Sequence, residues 1–192
     1  MKYPVLIYFF VFFLGVMVSA QEKIKDSHLS GVPAIRQKSD MACWITVYTM
    51  MKSWKDRKIY KVEQVATELG KPWSTFFLKN TGLPPEKEKA FMARTGLKSE
   101  PPASYMLSAY ADWLQQYGPV WIVTGNLGGR HARLLVGISG DGTYDKTEFI
   151  FIDPASGKEV EENSLKFFEK YEQEAKLANI YDWQFHLQIF HF

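Results

Sequence analysis

Apolar residues recur along this chain at two different periods, and the change falls near Gly118-Pro119. Before that point the spacing is helical. Trp44, Val47, Met51 and Trp54 stand three or four residues apart, which places them on one stripe of a helix from about Met41 to Lys55. Ser39 and Asp40 precede it as N-cap residues. Tyr60 to Leu69 reads as a short helix closed by Gly70, and Pro85 to Thr95 as another, with Pro in its first turn and Gly96 after its end. Ser104 to Tyr117 is a further helix, capped by Ser104 and stopped by Gly118-Pro119. Val32-Pro33-Ala34-Ile35 is extended, because Pro fixes its own φ and biases the residue before it to β geometry.

Beyond Gly118 the runs become short and almost wholly apolar. Val120 to Val123, Ala132 to Ile138 and Glu148 to Ile152 predict strands buried on both faces. Asp141-Gly142 lies between the second and third and predicts a hairpin. A helix from Ser164 to Leu177 follows. In Trp183 to Phe192, apolar and polar residues alternate, which predicts a terminal strand with one wet face. Helices first and mainly antiparallel strands afterwards make an α+β domain in two halves, spanning residues 32–192.

The N-terminus follows neither period. Lys2 precedes an apolar run from Val5 to Val18, and Val18-Ser19-Ala20 offers a small-residue exit before Gln21. This is the pattern of a secretory signal peptide over residues 1–20, too short for a spanning helix and carrying no Cys for lipid attachment. The expectation is a secreted or periplasmic protein with no membrane anchor after cleavage. Residues 21–31 read as a flexible polar lead-in. The remaining 172 residues are enough for a substantial core, and Lys and Arg outnumber Asp and Glu there by one. No basic run points to nucleic acid as a partner. No feature specifies an oligomeric state.

Cysteine usage changes the picture most. An exported chain with one Cys forms no internal disulfide, so Cys43 is a buried small residue, an intermolecular linker or a reactive thiol. Its place at the start of the first helix favours the last, since unpaired backbone N–H groups and the positive end of the helix dipole favour a thiolate. Gln37, six residues upstream at the end of the extended segment, can aim its amide at the thiol as an oxyanion donor. His131 opens a strand after Gly128-Gly129-Arg130. A hairpin turning near Gly142 sets His131 directly across from Asp153, and a carboxylate there would fix the imidazole tautomer. Asp153-Pro154 also suits the start of a turn. His28, in the lead-in, and His186 and His191, on the last strand, are weaker candidates. Close paired ligand spacing of the common zinc motifs is missing, and no cofactor is called for.

Taken in order, Val32-Pro33-Ala34-Ile35-Arg36-Gln37, Cys43-Trp44, His131 at a strand start and Asp153-Pro154 resemble the papain-like cysteine peptidases. The similarity is to their compact bacterial forms, the bacteriocin leader peptidases and the papain-like effector peptidases of plant pathogens. The resemblance spans about residues 32–155. It implies a papain-like fold, with the Cys helix in a helical half packed on an antiparallel sheet. It also implies a peptide or protein substrate, cleaved by Cys43, His131 and Asp153 with Gln37 at the oxyanion. The chain departs from the larger members of the family in three ways. His131 follows the Cys by only 88 residues, Asp40-Met41-Ala42 replaces the usual Cys-Gly-x before the nucleophile, and Asp153 stands where Asn is usual. The same residues would also serve a cell-wall peptide amidase or a transglutaminase-like acyl transferase, and the fold alone would serve a peptide-binding module without catalysis.

Overall fold

The computed structural model describes residues 24–126, 129–180 and 187–192, so the predicted signal peptide lies outside the described residues. The chain has the α+β architecture that the two periods predict. In order come β1 (Ser27–His28), α1 (Cys43–Asp56), α2 (Val62–Leu69), α3 (Trp73–Leu78), a 3-10 turn (Pro85–Lys87), α4 (Glu88–Thr95), β2 (Lys98–Ser99) and α5 (Leu107–Tyr117). Then follow β3 (Val120–Asn126), β4 (Gly129–Gly140), β5 (Thr147–Asp153), β6 (Lys158–Asn163), α6 (Ser164–Ile180) and β7 (Ile189–His191). The strands form one sheet in the order β2-β7-β3-β4-β5-β6, with β1 added on β4, and every described pairing is antiparallel. No helix among the described residues is long and apolar enough to cross a membrane.

Alternation along the central strands separates two cores, one on each face of the sheet. On one face Ala132, Leu134 and Val136 of β4 pack with Trp44, Val47 and Met51 of α1 and Phe91 of α4. On the other, Leu135 packs with Ile122, Phe149 and Phe151 and with Phe167 and Tyr171 of α6. The helix α1 is covered almost all round, from Trp44 to Met51 and again at Ser53, so its predicted stripe is part of a wider buried surface. Such a helix belongs in a three-layer arrangement.

Several boundaries differ from expectation, each for a local reason. The helix α1 begins at Cys43 rather than Met41. Ser39 and Asp40 form a turn before it, with Ala42 at the cap and no side-chain cap bond. Ser104 likewise lies outside α5, which begins at Leu107. The lead-in, expected to be flexible, is docked from Ile24 onward. Ile24 is buried, Ser27 and His28 pair with Ile138 and Gly137, and Leu29 N–H donates to Val136 O at 2.8 Å. Strand β6 escaped the pattern because it is a charged, mostly exposed edge with Val160 its one apolar residue. The terminal strand has no wet face in its described part. Leu187 to His191 are all buried, because β7 is inserted between β2 and β3. Gln188 survives there because its amide donates to Val123 O (3.1 Å) and Tyr171 O (2.9 Å). Trp183 to His186 of that prediction lie outside the described residues.

Phe91 is the hub of the first core. Its ring meets Trp44, Tyr48, Trp73 and Trp121 edge-on at 5.2–6.0 Å between centroids. Phe91→Ala should therefore cost about 3–5 kcal/mol in chemical denaturation, whereas a loss below about 1 kcal/mol would mean that the helical layer is loosely packed.

Candidate active site

The three layers bring together the end of one helix and the ends of two strands. Cys43 is the first residue of α1 and only partly buried. The N–H of a first helical residue has no acceptor within its own helix. The six residues that lead to it are held at four points. Gln37 N–H donates to Pro154 O (2.8 Å), and the Gln37 side-chain amide donates to Asp40 O (3.0 Å). Met41 N–H donates to Asn80 Oδ1 (3.0 Å), and Ala42 N–H to Ser39 O (3.1 Å). The first of these ties the approach to Cys43 directly to the residue after Asp153. Gly157 makes that contact possible. It has φ +67°, and a Cβ there would stand 2.7–2.9 Å from the Arg36 backbone and Cβ.

His131 is the third residue of β4 and Asp153 the last of β5. The ring Nε2–H donates to Asp153 Oδ1 at 2.9 Å, and the same oxygen accepts Ala155 N–H at 2.8 Å. Asp153 therefore starts a turn and orients the imidazole at once. The two residues are not directly opposed, as the sequence predicts. Leu134 faces Ile152, which sets Arg133 on the next rung across from Asp153, and a bulge at Val136 shifts the register by one more residue above it. The offset is two residues at the site. Residues two apart on a strand share a face, so His131 still reaches the carboxylate diagonally.

With Nε2 committed to Asp153, the other ring nitrogen is left for Cys43, which lies near enough to act on the charge of the ring. Burial opposes a charged ring here. The bond to Asp153 and the influence of the neighbouring Cys43 and Asp153 outweigh burial, and His131 is raised to about 9. For Asp153, burial acts upward, but the bonds from His131 and Ala155 and the charges of His131 and Arg133 hold it below the ordinary carboxylate value. Both shifts favour the charged pair, imidazolium beside carboxylate.

A cavity of about 340 Å³ opens beside this group, lined by Gln37, Asp40, His131, Arg133, Asp153 and Lys170 among others. Larger clefts among the described residues, about 530 and 760 Å³, include neither Cys43 nor His131. Two residues at the site carried no signal in the sequence. Asn80 follows a helix too short to show a period, and Arg133 sits in an otherwise apolar strand. Its guanidinium is buried over the Phe151 ring (4.2 Å) and paired with Glu162 (2.7 Å). Of the other histidines, His28 meets Glu159 at the surface, and His191 is stacked on Tyr117 and bonded to Glu100. His186 lies outside the described residues. Among the described residues no cluster of His, Cys, Asp and Glu has the arrangement of a metal site.

A family model described as papain-like cysteine protease AvrRpt2 matches residues 26–173. No curated protein matches the chain.

The electrostatics predict how stability varies with pH. A histidine raised from 6.5 to about 9 adds stability that is complete below pH 6.5 and lost as pH rises through about 9. The depressed Asp153 adds stability above its ordinary value of 3.8 and loses it as pH falls. Wild type should therefore exceed His131→Gln in melting temperature most between about pH 4.5 and 6.5, and the difference should shrink above about pH 9. A difference that stays constant from about pH 6 to pH 10 would mean that the ring contributes packing alone.

Proposed function

The chain belongs to the family of papain-like cysteine proteases described by AvrRpt2, and from that premise we propose that it cleaves peptide bonds with Cys43, His131 and Asp153, Gln37 serving the oxyanion. It is a cysteine-type peptidase, and its substrate is a peptide or protein. The observation that carries the residue assignment is the 2.9 Å bond from His131 to Asp153, beside which Cys43, the first residue of α1, favours the charged ring.

His131 holds the proton taken from Cys43, and the thiolate attacks the carbonyl carbon of the scissile bond. Negative charge develops on the carbonyl oxygen. Two donors are available to it, the Cys43 backbone N–H and the second N–H of the Gln37 amide, whose first is engaged by Asp40 O. The imidazolium then gives its proton to the departing amine, which leaves an acyl-enzyme on Cys43. A water, deprotonated by His131, attacks the thioester and restores the thiol. Through both half-reactions Asp153 keeps the tautomer and stabilises the charged ring. We propose further that residues 1–20 are a secretory signal cleaved after Ala20, which makes the peptidase secreted or periplasmic; the run Val5 to Val18 and the exit Val18-Ser19-Ala20 support this.

A fluorescent casein digest, followed by a peptide defined from its products, tests the assignments. Cys43→Ala should abolish turnover, and Asp153→Asn should lower it while leaving some, since an amide oxygen still accepts the imidazole N–H. Gln37→Ala should lose on the order of a hundredfold in kcat with the fold intact, the scale of one oxyanion donor. Iodoacetamide alkylation of Cys43 should be unchanged in Gln37→Ala, because alkylation creates no oxyanion. Wild-type turnover in Asp153→Asn at every pH would reduce Asp153 to a turn residue, and an unaltered kcat in Gln37→Ala would remove it from the site. N-terminal sequencing of exported protein should begin at Gln21; a sequence beginning at Met1 would contradict a cleaved signal.

A further inference from the structure

We propose that Arg130 is a positioning residue of the site: by joining both helical layers to the strand that carries His131, it sets the spacing between the imidazole and Cys43. This rests on the reading of Cys43 and His131 as the reacting pair.

Arg130 immediately precedes His131 at the start of β4 and pairs with Gly125 of β3. Its guanidinium meets groups from three separate elements. Nη1 donates to Glu88 of α4 at 2.6 Å, Nε lies 2.6 Å from a carboxylate oxygen of Glu174 of α6, and Nη2 donates to Leu187 O at 2.9 Å, just before β7. Both carboxylates are buried, Glu88 at 3 % and Glu174 at 0 % side-chain exposure. Burial pushes Glu88 up to about 7 in spite of Arg130, and it pushes Glu174 upward too. Such a network is a poor source of cohesion, since apolar residues of similar volume often stabilise as well or better. What it supplies is a fixed geometry.

The layers it joins are those that carry the reacting groups. Phe91 of α4 packs against Trp44, the neighbour of Cys43, with ring centroids 5.4 Å apart, so Glu88 belongs to the layer of the nucleophile. On the opposite face α6 lies close on β3. A Cβ on Gly125 would stand 3.2 Å from Glu174 N and 3.4 Å from Lys170 O, tighter than most real contacts. The rung Gly125–Arg130 is thus where α6 meets the sheet, one residue from His131. A planar fork with several fixed donors can hold acceptors from three directions, whereas a lysine ammonium on a flexible stem cannot hold them in one geometry.

The test is Arg130→Lys in the full mature chain, with circular dichroism, melting temperature, steady-state kinetics and the pH profile of Cys43 alkylation. The fold should persist, with kcat lower by about tenfold to a hundredfold, as for a reacting group misplaced by roughly an ångström. KM should stay within about twofold, because Arg130 lies outside the cavity. Alkylation near pH 6 should slow towards the rate of His131→Ala. A lowered melting temperature with wild-type kcat and alkylation would overturn the proposal and leave Arg130 merely structural. Should Arg130→Lys fail to fold, the triple variant Arg130→Met, Glu88→Gln, Glu174→Gln removes the buried charges together. A folded triple variant with lowered kcat and slowed alkylation supports the proposal, and wild-type values overturn it. Slow alkylation of the wild type itself would instead refute the Cys43–His131 reading, so the two failures are distinguishable.

Discussion

The hydrogen bond from His131 Nε2 to Asp153 Oδ1 joins the ends of two strands and leaves the opposite side of the imidazole facing the start of a helix. Each neighbouring feature supports that arrangement. Ala155 N–H holds the carboxylate oxygen in place, and Pro154 O takes Gln37 N–H, so the turn after Asp153 also positions the segment leading to Cys43. The backbone of Gly157 presses that turn onto Arg36. A thiol at a helix start is common; the two tethers, Gln37 to Pro154 and Ala155 to Asp153, set this one on the same turn that orients the histidine, which is what supports the proposed role of Cys43.

How much of this was legible in the sequence can be followed residue by residue. The α+β class was legible because a 3.6-residue period before Gly118 gives way to apolar strand runs after it. The meeting of His131 and Asp153 was legible although the register was not. Shifting a strand by two residues preserves its face, so a hairpin prediction wrong in its rung was still right in its contact. The one sign of the bulge at Val136 was Gly137 beside it, which also leaves room for β1, since a Cβ there would stand 2.7 Å from Ser27 O. A polar residue satisfied by distant backbone groups is equally hard to read. Gln188 looked like a wet-face residue, and only the fold shows Val123 O and Tyr171 O waiting for its amide. Asn80 and Arg133 stayed hidden for the same reason, since each acts on a residue far away in the chain.

The three-layer build also explains how a compact chain holds a site that spans its two halves. Cys43 rides on a helix buried on nearly every side, and His131 and Asp153 ride on adjacent central strands, so all three have little freedom to drift. In the proposed assignment, loops contribute the oxyanion donor and part of the cavity wall, while rigid elements carry the reacting groups.

The central claim is that a single thiol, Cys43, performs the chemistry. Titrating the folded protein with a peptidyl epoxide at neutral pH, with hydrolysis followed in parallel and the adduct mapped by mass spectrometry, tests this most directly. Hydrolysis should fall in proportion to modification and reach zero at one equivalent, with the adduct on Cys43. Full modification of Cys43 with hydrolysis intact, or an adduct that forms only after denaturation, would contradict it.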